Sequence, residues 1–344
     1  MKTKLVLKNG SVYEGKSFGA EKSISGEVVF TTGMVGYPES LTDPSFRGQI
    51  LVFTYPILGN YGVPEKKFWE SGKIQVAGVI VCNYNAKPSH YQSKLSLGQW
   101  LKKEGIPALE VKDTRGLTLK LRTQGSTLGK IVINNKDVDF SDPNLRNLVA
   151  EVSCKKPTIY GKDKKIIAVI DCGAKNNIQK RLVAKGLKVI VVPWNFNPLK
   201  LKQKIHAVLI SNGPGDPSKV TETIENVKLV MKKKIPTLGI CLGNQILALA
   251  NGGTTYKLKF GHRGQNQPCV MQGTKQCVLT TQNHGFAVGK IPKGFKQWFY
   301  NANDKTNEGI IHKNLPVMSV QFHPEATPGP TDADWIFDYF IKRI

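Results

Sequence analysis

Short apolar runs alternate with helical patterns in the second half of the chain, and this rhythm restricts the fold more than any other feature. The run Ile166 to Asp171 is followed by a helical pattern over Lys175 to Lys185 and by a second run, Lys188 to Pro193. The rhythm then continues through three further segments: Ala207 to Ser211, Thr221 to Lys233 and Thr237 to Ile240. Buried strands that alternate with helices favour a parallel sheet covered on both faces. Ligands of such sheets bind beyond the carboxyl ends of the strands.

A single cysteine lies where the last of these runs meets a helical pattern. Cys241 follows Thr237 to Ile240, and apolar residues recur at helical spacing from Leu242 to Ala250. Gly239 and Gly243 permit the sharp turn that this junction requires. The pattern is typical of a nucleophile elbow with sulfur in place of oxygen, where the helix dipole and backbone N–H groups favour attack by a thiolate. The alternative is a buried cysteine whose flanking glycines serve the turn alone.

Two other segments offer partners for this thiol. The loop Gly213-Pro-Gly215 follows an apolar run directly and lets backbone N–H groups approach a ligand, although a plain tight turn explains it equally well. Near the end of the chain, Pro324 disfavours a helical conformation at His323. In an extended segment, His323 and Glu325 project to one side, roughly 6 to 7 Å apart. The carboxylate can then orient the imidazole towards the thiol, which is the logic of a catalytic triad.

The first part of the chain has a different rhythm, with short apolar segments broken by glycine. These segments predict a strand-rich domain, with strands at Leu5 to Leu7, Val12 to Tyr13, Gly26 to Thr31, Gln49 to Tyr55 and Val76 to Cys82. Helices are predicted over Leu95 to Glu104 and Thr118 to Arg122. Residues 151–164 combine charge, proline and glycine without periodicity. We therefore expect a first domain at 1–150, a linker at 151–164 and a second domain at 165–344.

The loop Met34 to Phe46 is the most distinctive segment of the first domain. It is rich in turn-forming residues, yet an apolar run, Ile50 to Thr54, follows it closely. Such a loop can present Ser45 to a neighbouring domain. A turn capped by Asp43 and Ser45, without a ligand, is at least as well supported on local grounds.

Composition limits the partners and cofactors that we expect. A formal charge of +24 would favour nucleic acid, but the lysines are scattered and lack interleaved aromatic residues. We expect a solvated basic surface and no nucleic-acid partner, with a specific polyanion site as the alternative. No apolar run reaches the roughly 18 residues of a membrane span, and the start is too charged for a signal peptide, so no membrane association is predicted. The dispersed cysteines indicate a reducing compartment, and neither they nor the histidines have the spacing of metal ligands, so no metal site is predicted.

Three motifs in order resemble the class I, or triad, glutamine amidotransferases: Asn212-Gly-Pro-Gly-Asp-Pro217, Gly239-Ile-Cys-Leu-Gly243 and His323-Pro-Glu325. Further segments resemble the small, glutaminase subunits of carbamoyl phosphate synthetases: Gly36-Tyr-Pro-Glu39, Leu41-Thr-Asp-Pro-Ser45, Tyr55-Pro56 with Gly59-Asn60, Asp113-Thr-Arg115, Gln282-Asn-His-Gly-Phe-Ala287 and Glu325-Ala-Thr-Pro-Gly-Pro330. This resemblance extends over nearly the whole chain. It implies an α/β protein with a strand-rich N-terminal α/β domain and a C-terminal, flavodoxin-like parallel-sheet amidotransferase domain.

The resemblance implies hydrolysis of L-glutamine to glutamate and ammonia. Cys241 would form a glutamyl thioester, His323 would act as acid and then as base, and Glu325 would orient His323. Backbone N–H groups of Leu242 and of the loop from Gly213 to Gly215 would stabilise the oxyanion. Five residues would surround the substrate: Ser45, Gln245, Asn283, Gly285 and Phe286.

The resemblance also implies a partner, a large ATP-dependent subunit that combines the ammonia with bicarbonate to make carbamoyl phosphate for arginine and pyrimidine biosynthesis. ATP and Mg²⁺ belong to that subunit, so no cofactor is expected in this chain. A heterodimer or a higher hetero-oligomer follows, in a plastid stroma with an organelle-encoded gene or in a bacterial cytoplasm. The alternatives are a catalytically silent assembly or regulatory subunit and the glutaminase of another synthase.

Three residues in two segments depart from the family pattern. Asn244 stands where the family usually has histidine, directly before Gln245. Because the triad residues are present, we expect this change to tune the pocket without loss of activity. Arg263 and Gln265 replace a glycine- and histidine-richer pattern in a loop of undefined role.

Overall fold

The computed structural model describes residues 3–344 and divides the chain into two compact units. The first unit ends at Asn144, and the second is Leu145–Ile344. None of the helices in the described range has the length and apolar character that crossing a membrane requires.

The first unit is built on a closed barrel of seven strands in the order β1-β2-β8-β6-β4-β3-β9. The barrel strands are β1 (Thr3–Leu7), β2 (Val12–Ser17), β3 (Ile24–Thr31), β4 (Gln49–Phe53), β6 (Gly78–Val81), β8 (Ala108–Glu110) and β9 (Thr127–Ile133). Two short strands, β5 (Ile57–Leu58) and β7 (Asn83–Tyr84), form a separate sheet. Strands β3, β4, β6 and β8 run parallel to their neighbours within this group, and the other barrel pairs are antiparallel. The strand-rich character predicted for this half is therefore confirmed.

Three α-helices accompany the barrel: α1 (Tyr37–Thr42), α2 (Leu97–Lys103) and α3 (Thr114–Gln124). The helix predicted over Leu95 to Glu104 is α2, and Ser96 and Gln99 start it with a reciprocal capping box. The second predicted helix lies within α3, which begins four residues earlier than predicted. It does so because the Asp113 side chain caps it, accepting the Gly116 N–H at 2.7 Å.

The second unit contains one ten-stranded sheet in the order β10-β12-β11-β13-β14-β19-β18-β17-β15-β16. Its strands are β10 (Thr158–Tyr160), β11 (Ile166–Asp171), β12 (Lys188–Pro193), β13 (Ala207–Ile210), β14 (Thr237–Ile240), β15 (Thr255–Met271), β16 (Cys277–Val288), β17 (Phe295–Asn301), β18 (Asn307–His312) and β19 (Val317–Val320). Its α-helices are α4 (Val149–Val152), α5 (Asn176–Ala184), α6 (Thr221–Lys232), α7 (Leu242–Ala250) and α8 (Trp335–Ile341).

Five parallel strands form the centre of this sheet, in the order β12-β11-β13-β14-β19. Numbered along the chain, this is the 2-1-3-4-5 order of flavodoxin-like sheets, as expected. Both faces are covered: Val169 of β11 belongs to one hydrophobic cluster, and its neighbours Ala168 and Ile170 belong to another. The prediction of a parallel sheet was incomplete, since β10 adds an antiparallel strand at one edge and β18, β17, β15 and β16 extend the other.

The domain boundary differs from the predicted one. Residues 151–164, predicted as a linker, belong to the second unit. Within them, β10 pairs with β12 through the register Thr158↔Val191 to Tyr160↔Val189. Edge pairing supplies the backbone hydrogen bonds here, so a segment without a hydrophobic period still forms a strand.

Candidate active site

Cys241 lies at the junction of β14 and α7 with φ +54° and ψ −103°. A positive φ is rare for a residue with a side chain and stores roughly 1–3 kcal/mol of backbone strain. The Cys241 N–H donates to the Val320 carbonyl at 2.8 Å, which fixes the corner to β19. The cysteine is nearly excluded from solvent. The sharp turn predicted from the sequence is present, and Cys241 is the residue of that turn whose backbone is strained.

The two glycines that flank Cys241 are required by close backbone contacts. A Cβ at Gly239 would lie 2.6 Å from the Gly243 carbonyl oxygen. A Cβ at Gly243 would lie 2.1 Å from the Ile210 carbonyl oxygen, at the end of β13. Neither glycine has a positive φ. Their function is therefore to let α7 approach β13 and β14, which a side chain would prevent.

His323 and Glu325 form the tightest ion pair around the candidate site. His323 Nδ1 lies 2.6 Å from Glu325 Oε1, and both side chains are buried. The backbone N–H of His323 donates to the Thr281 carbonyl at 2.9 Å, which holds this residue beside β16. His323 Nε2 makes no hydrogen bond to another described residue. Nδ1 is thus committed to the carboxylate and Nε2 remains available for chemistry.

The pKa values of this pair move in opposite directions. Burial alone would lower the pKa of His323, but the Glu325 carboxylate and Cys241 raise it to about 10. Burial alone would raise the pKa of Glu325, but Lys175 and His323 lower it to about 2. An imidazolium and a carboxylate are therefore held together at neutral pH, next to the thiol.

Lys175 completes this charge arrangement, a role that was not predicted from the sequence. Its Nζ lies 3.1 Å from Glu325 Oε1, and only 2% of its side chain is exposed. The same ammonium group donates to the Ala326 carbonyl. A buried lysine is rare unless it is paired, but one lysine does not stand out in a chain with 49 Lys and Arg residues. Its place just beyond the carboxyl end of β11 was the available signal.

The thiol is surrounded by groups from β16 and from the segment that follows β19. Cys241 Sγ lies 3.6 Å from the Asn283 carbonyl oxygen and 3.7 Å from Gln321 Nε2. Gln245 Nε2 donates to the Phe286 carbonyl at 2.8 Å and to Gln321 Oε1 at 3.2 Å. These bonds tie α7 to β16. The structure therefore brings Cys241, Gln245, Asn283 and Phe286 to one place.

The glycine loop after β13 lies at the same corner. A Cβ at Gly213 would lie 2.8 Å from the Leu242 Cδ2 atom, so this loop packs against the first residue of α7. Gly215 has a φ of +83°, which favours glycine. Gly285 lies in β16 between Asn283 and Phe286. The positions suit the predicted oxyanion and substrate roles, which stay predictions.

Ser45 lies in the first unit, on the short 3-10 helix Pro44–Phe46. Its N–H donates to Asp43 Oδ1 at 2.9 Å, so Asp43 caps this turn. This is the geometry that the purely local interpretation of the loop requires. A contact between Ser45 and a substrate stays a prediction.

Asn244 is fully buried beneath the corner. Its Oδ1 accepts the Ser319 hydroxyl at 2.7 Å, and its Nδ2 donates to Gln321 Oε1 at 3.1 Å. Because Gln321 in turn approaches Cys241 Sγ, Asn244 acts on the thiol through one intermediate side chain. Arg263 is also buried, and its Nη1 donates to the Phe260 carbonyl at 2.6 Å.

Comparisons with known proteins cover both units. Residues 5–131 match the family model described as carbamoyl-phosphate synthase small chain, CPSase domain, and residues 168–343 match glutamine amidotransferase class-I. The chain is 47% identical over 356 residues to the carbamoyl phosphate synthase arginine-specific small chain of Neurospora crassa, covering 98% of this chain and 79% of that protein. It is 49% identical over 354 residues to the multifunctional protein CAD of Squalus acanthias, covering 98% of this chain. The chain spans only 16% of the length of that relative.

Among solved structures, a glutamine amidotransferase from Thermotoga maritima is 19% identical, with a TM-score of 0.40. The match covers 52% of this chain and 83% of that one.

Proposed function

Because the chain belongs to the carbamoyl phosphate synthase small-chain family, we propose that it hydrolyses L-glutamine and supplies the ammonia to a carbamoyl phosphate synthase large subunit. One observation carries this proposal: a cysteine on a strained strand-to-helix corner beside a buried His323–Glu325 pair that Lys175 completes. Nucleophile, acid-base group and orienter are the parts that acyl transfer requires.

The first half-reaction forms the thioester. Because His323 already carries the proton in the resting enzyme, the Cys241 sulfur attacks the carboxamide carbon of glutamine as the thiolate and forms a C–S bond. The negative charge that develops on oxygen is stabilised by the N–H of Leu242 and by the loop from Gly213 to Gly215. His323 then donates its proton to the amide nitrogen, the C–N bond breaks, and ammonia departs. A histidine with a pKa of about 10 holds the required proton at neutral pH.

The second half-reaction needs His323 as a base, and the structure supplies a reason for the change. Part of the rise in the His323 pKa comes from Cys241. Once the sulfur is acylated, it no longer carries negative charge, so the pKa of His323 falls. The imidazole can then take a proton from water, which attacks the thioester carbon. The C–S bond breaks, the thiol is regenerated and glutamate is released.

The proposed substrate contacts are those predicted from the sequence. Gln245, Asn283, Gly285 and Phe286 lie close to Cys241 in the second unit, and their arrangement supports a pocket for the glutamine side chain. Ser45 would be contributed by the first unit. We expect no cofactor in this chain, since ATP and Mg²⁺ would be used by the large subunit. The heterodimer and the location in a plastid stroma or bacterial cytoplasm also stay predictions.

The test is glutamate release from L-glutamine by the purified chain, alone and with the large subunit of a related synthase. We expect slow hydrolysis alone and faster hydrolysis in the complex. Cys241→Ala should reduce kcat by about 10³-fold or more, as loss of a nucleophile does in a triad enzyme. Cys277→Ala is the matched control, because Cys277 is an exposed free cysteine and should be dispensable. Undiminished activity of Cys241→Ala would refute the mechanism.

A glutamine-like chloroketone separates the alternatives. Covalent labelling of the wild type and of Cys277→Ala, but not of Cys241→Ala, is expected from an active glutaminase. No labelling of the wild type would favour a silent assembly or regulatory subunit. Purification of the chain with a different synthase would show that its ammonia serves another product.

A further inference from the structure

A second cluster of potential ligands lies in the antiparallel part of the ten-stranded sheet. His262 belongs to β15, His284 to β16 and Glu308 to β18, and all three are buried. His262 and His284 are direct partners in the β15–β16 register. One donor atom from each of the three residues lies within 4.8 Å of the others. The mechanism above uses none of these groups.

We propose that His262, His284 and Glu308 form a binding site for one divalent transition-metal ion, with Zn²⁺ as the probe. Two imidazoles and one carboxylate are a known ligand set for zinc, with a fourth position for water or another oxygen. The sequence spacing could not indicate this site, because its ligands are 22 and 24 residues apart and come from three strands. This proposal departs from our sequence-based prediction that the chain has no metal site.

The two distances from the histidine donors to Glu308 are close to those of a tetrahedral site, and all three donor atoms lie within 4.8 Å of one another. Bonds of about 2.0–2.1 Å place neighbouring ligand atoms about 3.3–3.4 Å apart. His262 Nδ1 lies 3.2 Å from Glu308 Oε1, and His284 Nε2 lies 3.8 Å from the same oxygen. Only small rotations of the two rings are needed to receive an ion, since all three donors already converge.

Each proposed ligand is oriented by a further hydrogen bond. His262 Nε2 lies 2.8 Å from Asp304 Oδ2, and His284 Nδ1 lies 2.8 Å from the Phe286 carbonyl oxygen. Metal-binding histidines commonly donate their second ring nitrogen to a carboxylate or a carbonyl in this way. Glu308 Oε2 accepts a hydrogen bond from Gln282 Nε2 at 2.9 Å.

The protonation of His284 also favours a cation between these three side chains. The Phe286 carbonyl can only accept, so His284 donates to it from Nδ1, and the neutral ring then has a lone pair on Nε2. That lone pair faces Gln282 Oε1 at 3.2 Å and Glu308 Oε1 at 3.8 Å, which are both acceptors. A metal ion would convert these repulsive contacts into bonds.

Such an ion would hold β15, β16 and β18 together beside the candidate active site. Asn283, next to His284, places its carbonyl oxygen 3.6 Å from Cys241 Sγ. We expect the ion to fix this strand without touching the reacting sulfur. The proposal does not depend on the glutaminase function, because metal binding is measured without glutamine.

The experiment is calorimetric titration of the metal-stripped full chain with Zn²⁺, repeated with Co²⁺ to record ligand-field absorption. We expect one ion per chain and tetrahedral Co²⁺ absorption without a thiolate charge-transfer band. Glu308→Gln, which preserves volume, should weaken Zn²⁺ binding at least about 100-fold, and so should His262→Gln. His90→Gln, in the first unit, is the matched histidine control and should bind normally. The melting temperature should rise with Zn²⁺ in the wild type but not in Glu308→Gln.

Cys241→Ala excludes a competing assignment, because a thiol and His323 can also bind zinc. This variant should retain the site. Loss of binding in Cys241→Ala, wild-type affinity in Glu308→Gln, or no binding by the wild type would each overturn the proposal. If His262→Gln fails to fold, Glu308→Gln carries the test.

Discussion

Replacing Lys175 by methionine tests how the charge beside the triad is maintained. The substitution removes the ammonium group but retains a long apolar stem. In the wild type, Lys175 Nζ lies 3.1 Å from Glu325 Oε1, and neither side chain is more than 2% exposed. The variant therefore leaves a buried carboxylate with only His323 as its charged partner.

The expected loss is large because the remaining charge stays buried. Removing one partner of a buried ion pair costs about 3–5 kcal/mol of unfolding free energy. The surface pair Lys228–Glu225 provides the control: its N···O distance is shorter, 2.6 Å, but its side chains are 42% and 66% exposed. Lys228→Met should lose no more than about 0.5 kcal/mol. If so, the difference in unfolding free energy between the two variants is determined by the burial of the ion pair and not by its N···O distance.

The assay is urea unfolding followed by tryptophan fluorescence, since Trp298 and Trp335 pack in the second unit. The pH dependence of unfolding provides an independent test of the same ion pair. Glu325 has a lowered pKa of about 2, so its contribution to stability is present above the ordinary glutamate pKa and is lost as the pH falls through about 2. Without Lys175 that pKa rises, and acid unfolding should begin at a higher pH. Equal unfolding free energies for Lys175→Met and Lys228→Met would refute this reasoning.

Three further substitutions probe the same site. Glu325→Gln should lower the pKa of His323, so the alkaline limb of glutaminase kcat/KM against pH should move to lower pH; an unchanged limb would contradict the assigned acid. Gly243→Ala should destabilise the fold by about 1–3 kcal/mol in urea unfolding, because its Cβ would lie 2.1 Å from a carbonyl oxygen, whereas Gly72→Ala has open space and should be neutral. Asn244→Ala leaves the buried Ser319 hydroxyl without its acceptor and removes one of the two hydrogen bonds to Gln321 Oε1, so it should cost about 1–3 kcal/mol by the same measurement; a wild-type midpoint would show that these hydrogen bonds contribute nothing.

The sequence was informative wherever a local pattern set the structure. The strand-to-helix corner at Cys241 follows from glycine spacing, and the extended segment at His323 follows from Pro324. The parallel strands were visible as uninterrupted apolar runs because they are buried on both faces. These local rules place the candidate nucleophile directly after one strand and its candidate histidine near the end of another, whereas the pairing of those strands, β14 and β19, is visible only in the structure.

Features that depend on distant pairing could not be read in the same way. Strands β15 and β16 mix polar and apolar residues, since several of their polar side chains are buried in mutual hydrogen bonds. Lys175 is separated from Glu325 by 150 positions, and only the folded sheet brings their charges together. The segment 151–164 has no period of its own, and pairing with β12 makes part of it a strand.

The backbone at Cys241 also bears on natural selection. A residue at φ +54° stores roughly 1–3 kcal/mol, whereas glycine there would relax the corner at a cost of about 0.4–1 kcal/mol through the unfolded chain. If backbone energy were the only criterion, glycine would be favoured over cysteine at this position. Cysteine at this strained corner is therefore a residue that chemistry would require there and that backbone energetics alone would not favour.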